Sequence, residues 1–256
     1  MPKSESLIFL KTLKEDGIEE VYVPSKSPRP VMQSPSRQIV SPPNVLVGGP
    51  ATKSGFPLKT CGNDDASSGI NPEIETLRTK VLKCKLCSEL AKTRNKVVFG
   101  DGNLQAELVF VGEAPGADED EQGLPFVGRA GQLLTKIIEA MGKTRDQVFI
   151  CNVLKCRPPN NRPPAPEEVA HCRPFLKRQL ELIKPKVIVA LGNHAVKAIL
   201  QTEQGISQVR GTFQTYEGIP VMCTYHPAYL LRSPGEKRKV WEDMKKVMKL
   251  LEGTKE

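Results

Sequence analysis

Three short apolar runs constrain this chain more than anything else in it: ELVFVG at 107–112, QVFICNVL at 147–154 and KVIVALG at 186–192. Each is four to eight apolar-rich residues long, and helix-period segments separate them, at about Ala130–Met141 and Pro166–Ile183, with His194–Leu200 and Glu236–Leu251 following. A strand exposed on one face alternates apolar and polar residues. A strand apolar throughout has both faces covered, as in a parallel sheet between two layers of helices. TYEGIPVMCTYHP reads as a turn and a final strand. The expected fold is therefore α/β, a three-layer α/β/α arrangement with a central, mainly parallel sheet. In such sheets ligands bind beyond the carboxyl ends of the strands. GEAPG, the segment around Asn152 and HPAYLLR all fall there.

Order should begin near Asn71-Pro72, where a capping residue precedes a proline at the first helical position. A helix through Glu75–Ala91 would carry KCKLC in its latter half. Upstream, residues 1–20 could form a short amphipathic helix with Leu7, Leu10 and Leu13 on one face. From Val21 to Thr60 the chain has eight prolines among many serines and glycines. That composition buries too little apolar surface to offset the entropy of ordering. Residues 1–70 are thus expected to be a largely disordered extension, and 71–256 the folded domain. No run approaches the eighteen or so apolar residues of a membrane span. The N-terminus, with four apolar residues from Leu7 to Leu10 and early acids, makes a poor signal peptide. A cytoplasmic protein is expected.

Charge divides a few residues further on. Residues 1–75 hold 8 Lys and Arg against 9 Asp and Glu, net −1, which leaves net +9 on the remainder of a chain whose formal charge is +8. A basic folded portion suits an anionic polymer; charge alone suits a soluble basic protein equally well.

The chain has seven cysteines. Cys84-x2-Cys87 is a chelating pair, and Cys156 and Cys172 add two more across a long gap, all among Lys83, Lys85, Lys155, Arg157 and Arg173. Disulfides are not expected in a cytosolic protein, so the choice is metal or coincidence. Four thiolates suit zinc or an iron–sulfur cluster, and spacing does not separate the two. Cys61 falls in the extension. Cys151 and Cys223 lie in strand patterns and read as small buried apolar residues.

Four residues gather at the expected sheet edge. Glu113 ends the first strand; by itself it could be a solvated loop carboxylate. Asn152 interrupts FICNVL, and a buried amide must find partners. A core hydrogen bond would serve, but so would the edge of a pyrimidine, which offers a donor and an acceptor side by side. Phe126, in a glycine-rich loop, is either a lid on the core or a stacking platform. His226 opens the loop after the last strand. His171 and His194 read as satisfied core histidines.

GEAPG followed by GLPFVGRAGQLL, then CNVLKCRPPNNRPPAPEE, LG and HPAYLLR, together with the four cysteines, closely resemble the family 4 uracil-DNA glycosylases. The resemblance covers about residues 75–250. It implies a uracil-DNA glycosylase fold and activity, base excision in DNA repair, and a four-iron, four-sulfur cluster on Cys84, Cys87, Cys156 and Cys172. Carried over by motif, Gly112, Glu113 and Ala114 line the base, Phe126 stacks on the flipped uracil and Asn152 reads its edge. His226 donates to uracil O2 as charge builds there, and Glu113 orients water or stabilises the sugar cation. Excision needs a base taken out of the stack, and the leaving anion needs donors already in place.

This sequence departs from the broader superfamily's GQDPYH motif, having Ala114 and Gly116 where that motif has aspartate and tyrosine. Thymine must then be excluded by another group, for which the Asp118–Glu121 run is the candidate. LLRSPGEKRK would press on the DNA, with Leu230 or Leu231 as wedge and Arg232, Lys237, Arg238 and Lys239 on phosphates. The implied partner is uracil-containing DNA, single- or double-stranded, bound by a monomer.

Two rivals stand beside this reading. One is a uracil-DNA binder without turnover. A related clade traps its substrate through a histidine in a KRRIH insertion between the third and fourth cysteines, where this chain has RPPNNRPPAPEEVAH. The other is a metal-holding scaffold that recruits partners through the proline-rich extension.

Overall fold

The computed structural model describes residues 71–253, so the expectations for 1–70 lie outside the described residues. In chain order the elements are α1 (Pro72–Leu82), α2 (Ser88–Thr93), β1 (Asp101–Gly102), β2 (Leu108–Gly112), α3 (Ala117–Gln122), α4 (Arg129–Ala140), β3 (Phe149–Asn152), α5 (Pro166–Ile183), β4 (Val187–Leu191), α6 (Asn193–Leu200), α7 (Ile206–Val209), β5 (Phe213–Tyr216), β6 (Ile219–Thr224), α8 (Pro227–Arg232) and α9 (Lys237–Gly253). The sheet runs β1-β3-β2-β4-β6-β5. Its four central strands are parallel and its two edges antiparallel.

Alternate residues of each central strand face opposite layers. Val109, Val111, Phe149, Cys151, Ile188 and Ala190 pack with α1, α5 and α6. Leu108, Phe110, Ile150, Val187 and Val189 pack with α4 and α9, around Trp241. Every residue of β2 and β4 is buried, which is why these strands read as unbroken apolar runs. Cys151 and Cys223 are fully buried, as expected. Among the described residues no helix is long and apolar enough to cross a membrane.

The sequence expectation fails in three places. The helix drawn through Glu75–Ala91 ends at Leu82, and KCKLC forms a turn before α2. The carbonyl freed at Cys84 accepts from Arg94 Nη2 at 2.7 Å, a partner invisible to helical periodicity. The acidic stretch after GEAPG, for which no helix was expected, forms α3. Its Asp120 is 1% exposed and accepts from Asn95 N at 2.9 Å, Asn95 Nδ2 at 2.9 Å and Lys96 N at 3.2 Å. The sheet also gains two edge strands: β1 is two residues long, and β5 is half-exposed and polar-rich.

Candidate active site

Register carries the site together. Gly112 pairs with Asn152 across β2 and β3, and Leu191 pairs with Thr224 across β4 and β6. The four parallel strands therefore end along one edge, where Glu113, Asn152 and His226 emerge side by side. A cleft of about 510 Å³ opens there, lined by Glu113, Ala114, Phe126, Asn152 and His226, with Glu119, Arg162, Tyr229 and Arg232 around its mouth. Gly112 lies beneath it. A side-chain carbon at position 112 would overlap both Asn152 Oδ1 and the Phe126 ring, so only glycine lets the amide and the aromatic ring come this close.

Asn152 is 2% exposed, and its Oδ1 is a buried acceptor without a hydrogen-bond partner among the described residues. Buried polar atoms are nearly always satisfied, so an unpartnered acceptor in a cleft wall marks a place for a ligand donor. Its backbone carbonyl is occupied: Lys155 Nζ donates to it at 2.7 Å and to Gln179 Oε1 at 2.6 Å.

His226 caps α8. Its Nδ1 accepts from Ala228 N at 3.1 Å, which leaves the proton of a neutral imidazole on Nε2. Burial, helped by nearby Arg232, lowers its pKa to about 4, so the ring is a neutral donor at physiological pH. The Phe126 and His226 rings stand 5.5 Å apart between centroids, tilted by 31°. Burial raises the Glu113 pKa, with a smaller opposing pull from His194.

A second cavity lies apart from the cleft and shares none of its lining residues. Cys84, Cys87, Cys156 and Cys172 line it with Arg94, Lys155 and His171. Arg94 Nη1 donates to Cys156 Sγ at 2.9 Å. Burial pushes Cys87 up to about 11 and Cys172 up to about 12. Burial also raises Cys156, against the hydrogen bond from Arg94. Among the described residues no three of His, Cys, Asp and Glu are set to hold a single metal ion.

Several expectations need correction. Leu230 is 1% exposed and packs in the core on the α9 side of the sheet, so it cannot act as a wedge. The neighbouring Leu231 is 38% exposed. Arg232 reaches the cleft, Lys237 is half-buried, and Arg238 and Lys239 are exposed, with Lys239 paired to Glu236. Of Asp118–Glu121 only Glu119 lines the cleft, and its oxygens are taken up by backbone N–H groups. His171 and His194 are half-buried rather than core. His171 Nδ1 lies 3.5 Å from Cys87 Sγ, and His194 is close enough to influence Glu113. Sequence reasoning passed over Arg162 and Tyr229. Arg162 is forked onto Glu168 at 2.7 and 3.0 Å and reaches Glu89 at 2.6 Å, partners that nothing in RPPNNRPP announces.

The family model described as the uracil DNA glycosylase superfamily matches residues 99–245. The type-4 uracil-DNA glycosylase of Sulfurisphaera tokodaii is 46% identical over 186 residues, covering 69% of this chain and 84% of that protein. The type-4 uracil-DNA glycosylase of Thermotoga maritima is 48% identical over 177 residues, covering 68% of this chain and 92% of that protein. A type-5 uracil-DNA glycosylase of Pyrobaculum aerophilum is 34% identical over 146 residues, covering 50% of this chain and 64% of that protein.

Proposed function

Because the chain belongs to the uracil DNA glycosylase superfamily, and to its type-4 members, we propose that it flips uracil out of DNA and hydrolyses the bond between the base and its sugar. The observation that carries this is the pairing of an unsatisfied Asn152 acceptor with a neutral His226 donor in the cleft that the Phe126 ring also lines. A flat base stacked on Phe126 meets the Asn152 amide with its O4 and N3–H edge. Uracil O2 then faces His226 Nε2–H. When the N1–C1′ bond breaks, its electron pair leaves with the base, and the fixed donor stabilises the charge that gathers on O2. Water adds to C1′. Glu113 supplies negative charge to the sugar cation and takes the water's proton, a task suited to a carboxylate whose pKa is raised by burial. The uracil anion regains a proton from solvent after release.

The cysteine cavity fits a four-iron, four-sulfur cluster. Its donor set is four thiols, and two cationic side chains, Arg94 and Lys155, border it, which suits the negative charge of a thiolate-bound cluster. Cys84, Cys87, Cys156 and Cys172 would hold it. When bound, the cluster supplies a crosslink between the α1–α2 turn and α5.

The test is strand nicking of a uracil-containing oligonucleotide after alkali, with thymine and cytosine controls. Nicks at uracil alone support the reading. Tight binding without nicks would favour the non-catalytic binder, and neither binding nor nicks the scaffold.

A further inference from the structure

Phe126 is in the left-handed region, with φ of 52°, where a bulky aromatic residue is an outlier that its surroundings must impose. Those surroundings are specific. Arg145 donates a fork to the two carbonyls on the near side, Nη2 to Pro125 O at 2.9 Å and Nη1 to Phe126 O at 3.1 Å. Glu119 Oε1 accepts from the two amides on the far side, Val127 N at 2.9 Å and Gly128 N at 3.0 Å, while Oε2 accepts from Gly116 N at 3.0 Å. Gly131 in α4 backs onto the Phe126 carbonyl so closely that a side chain there would overlap it. The helix carrying Glu119 is itself pinned by Asp120 to Asn95 and Lys96.

We propose that Glu119 and Arg145 are positioning residues that together clamp the Phe126 loop and hold its ring in place for the base to stack on. This inference rests on the uracil reading of the cleft. Without the clamp, four backbone groups lose charged partners, and the loop relaxes toward an unstrained conformation that carries the ring away from Asn152 and His226. A ring misplaced by about 1 Å loses the near-attack geometry, a loss that can reach a hundredfold. Glu119→Gln keeps the shape and removes the charge. Arg145→Lys keeps the charge and removes the fork that spans two carbonyls.

The experiment is a double-mutant cycle on the intact, cluster-containing protein. Single-turnover uracil release and affinity for free uracil are measured for wild type, Arg145→Lys, Glu119→Gln, Phe126→Ala and each clamp change combined with Phe126→Ala. Each clamp change alone should lower uracil release by roughly ten- to a hundredfold and weaken free uracil binding. Affinity for DNA with an abasic site, which offers no base to stack, should hold. In the Phe126→Ala background the same changes should cost less than about twofold, because coupled residues are not additive. Clamp effects that persist undiminished without Phe126, or that fall equally on abasic DNA, would overturn the proposal. Should wild type release no uracil, the function itself fails. The clamp is then judged by amide hydrogen exchange: faster exchange at Val127 and Gly128 in Glu119→Gln supports it, and unchanged exchange refutes it.

Discussion

The cleft at the strand ends and the cavity among the cysteines lie in one domain but depend on different sources of order. In the cleft the chain positions its own chemistry. Backbone N–H groups orient His226 and Glu119, strand register places Gly112 beside Asn152, and the buried acceptor Asn152 Oδ1 has no partner among the described residues. In the cavity burial raises the thiols of Cys87, Cys156 and Cys172 away from ionisation, Cys172 to about 12. Thiolates there need a positively charged inorganic core beside them. The comparison separates two ways of building a site: one held in place by its own chain, the other, in the reading proposed above, completed by a bound cluster.

Breaking the cavity should therefore have the largest effect, and on folding. Cys172→Ala should lose the brown colour, with its broad absorbance near roughly 400 nm, together with most of the domain's stability of about 5–15 kcal/mol. Soluble yield and thermal unfolding of the anaerobically purified protein measure this. A colourless variant that melts with wild type would show that the cavity is dispensable.

The cleft has its own, smaller cost. His226 stays neutral to about pH 4 in the folded state, against an ordinary value of 6.5. Between these values the unfolded chain binds a proton that the folded one does not. Stability is therefore complete above about pH 6.5 and falls as pH drops toward 4, by about 3 kcal/mol. Urea unfolding at pH 7 and 4.5 should show this loss in wild type and less of it in His226→Asn. Equal losses in the two proteins would mean that the ring is not held neutral by its surroundings.

Specificity should respond next. Asn152→Asp removes the donor to uracil O4 and presents an acceptor suited to the cytosine amino group. The preference for uracil over cytosine in single-turnover cleavage should drop by about tenfold or more, since a missing hydrogen-bond partner in a polar site costs at least that. An unchanged ratio would remove Asn152 from base reading. The smallest effect belongs outside both sites. Deleting residues 1–70, which carry none of the motifs and only 8 Lys and Arg against 7 Asp and Glu, should change cleavage of short oligonucleotides by less than about twofold, within the range of a surface change. A large loss in a folded truncation would move the domain boundary.

What the sequence disclosed follows the same division. β2, β4 and α5 occur where apolar runs and a Pro166 start put them, because buried strands and capped helices are local signals. The cleft residues were legible as polar or aromatic interruptions at strand ends. What supports them was not. Asp120 reads as one more acid in ADEDEQ until Asn95 and Lys96 approach it from 25 and 24 residues away. Arg145 reads as a solvated charge in TRDQ, since its partners are main-chain carbonyls 19 and 20 residues upstream, which have no sequence signature. The break at KCKLC was hidden for the same reason: Arg94 satisfies the freed carbonyl from beyond the helix.

The central claim is that His226, as a neutral donor, acts on the leaving base and not on its binding. The direct test is single-turnover release of uracil from duplex DNA by His226→Ala, beside its affinity for the same DNA carrying a non-cleavable uracil nucleotide. The account predicts a rate lower by about a hundred- to a thousandfold, as for other preorganised donors to developing charge, with affinity within a few-fold of wild type. A rate close to wild type would contradict it and leave Glu113 as the principal catalytic group.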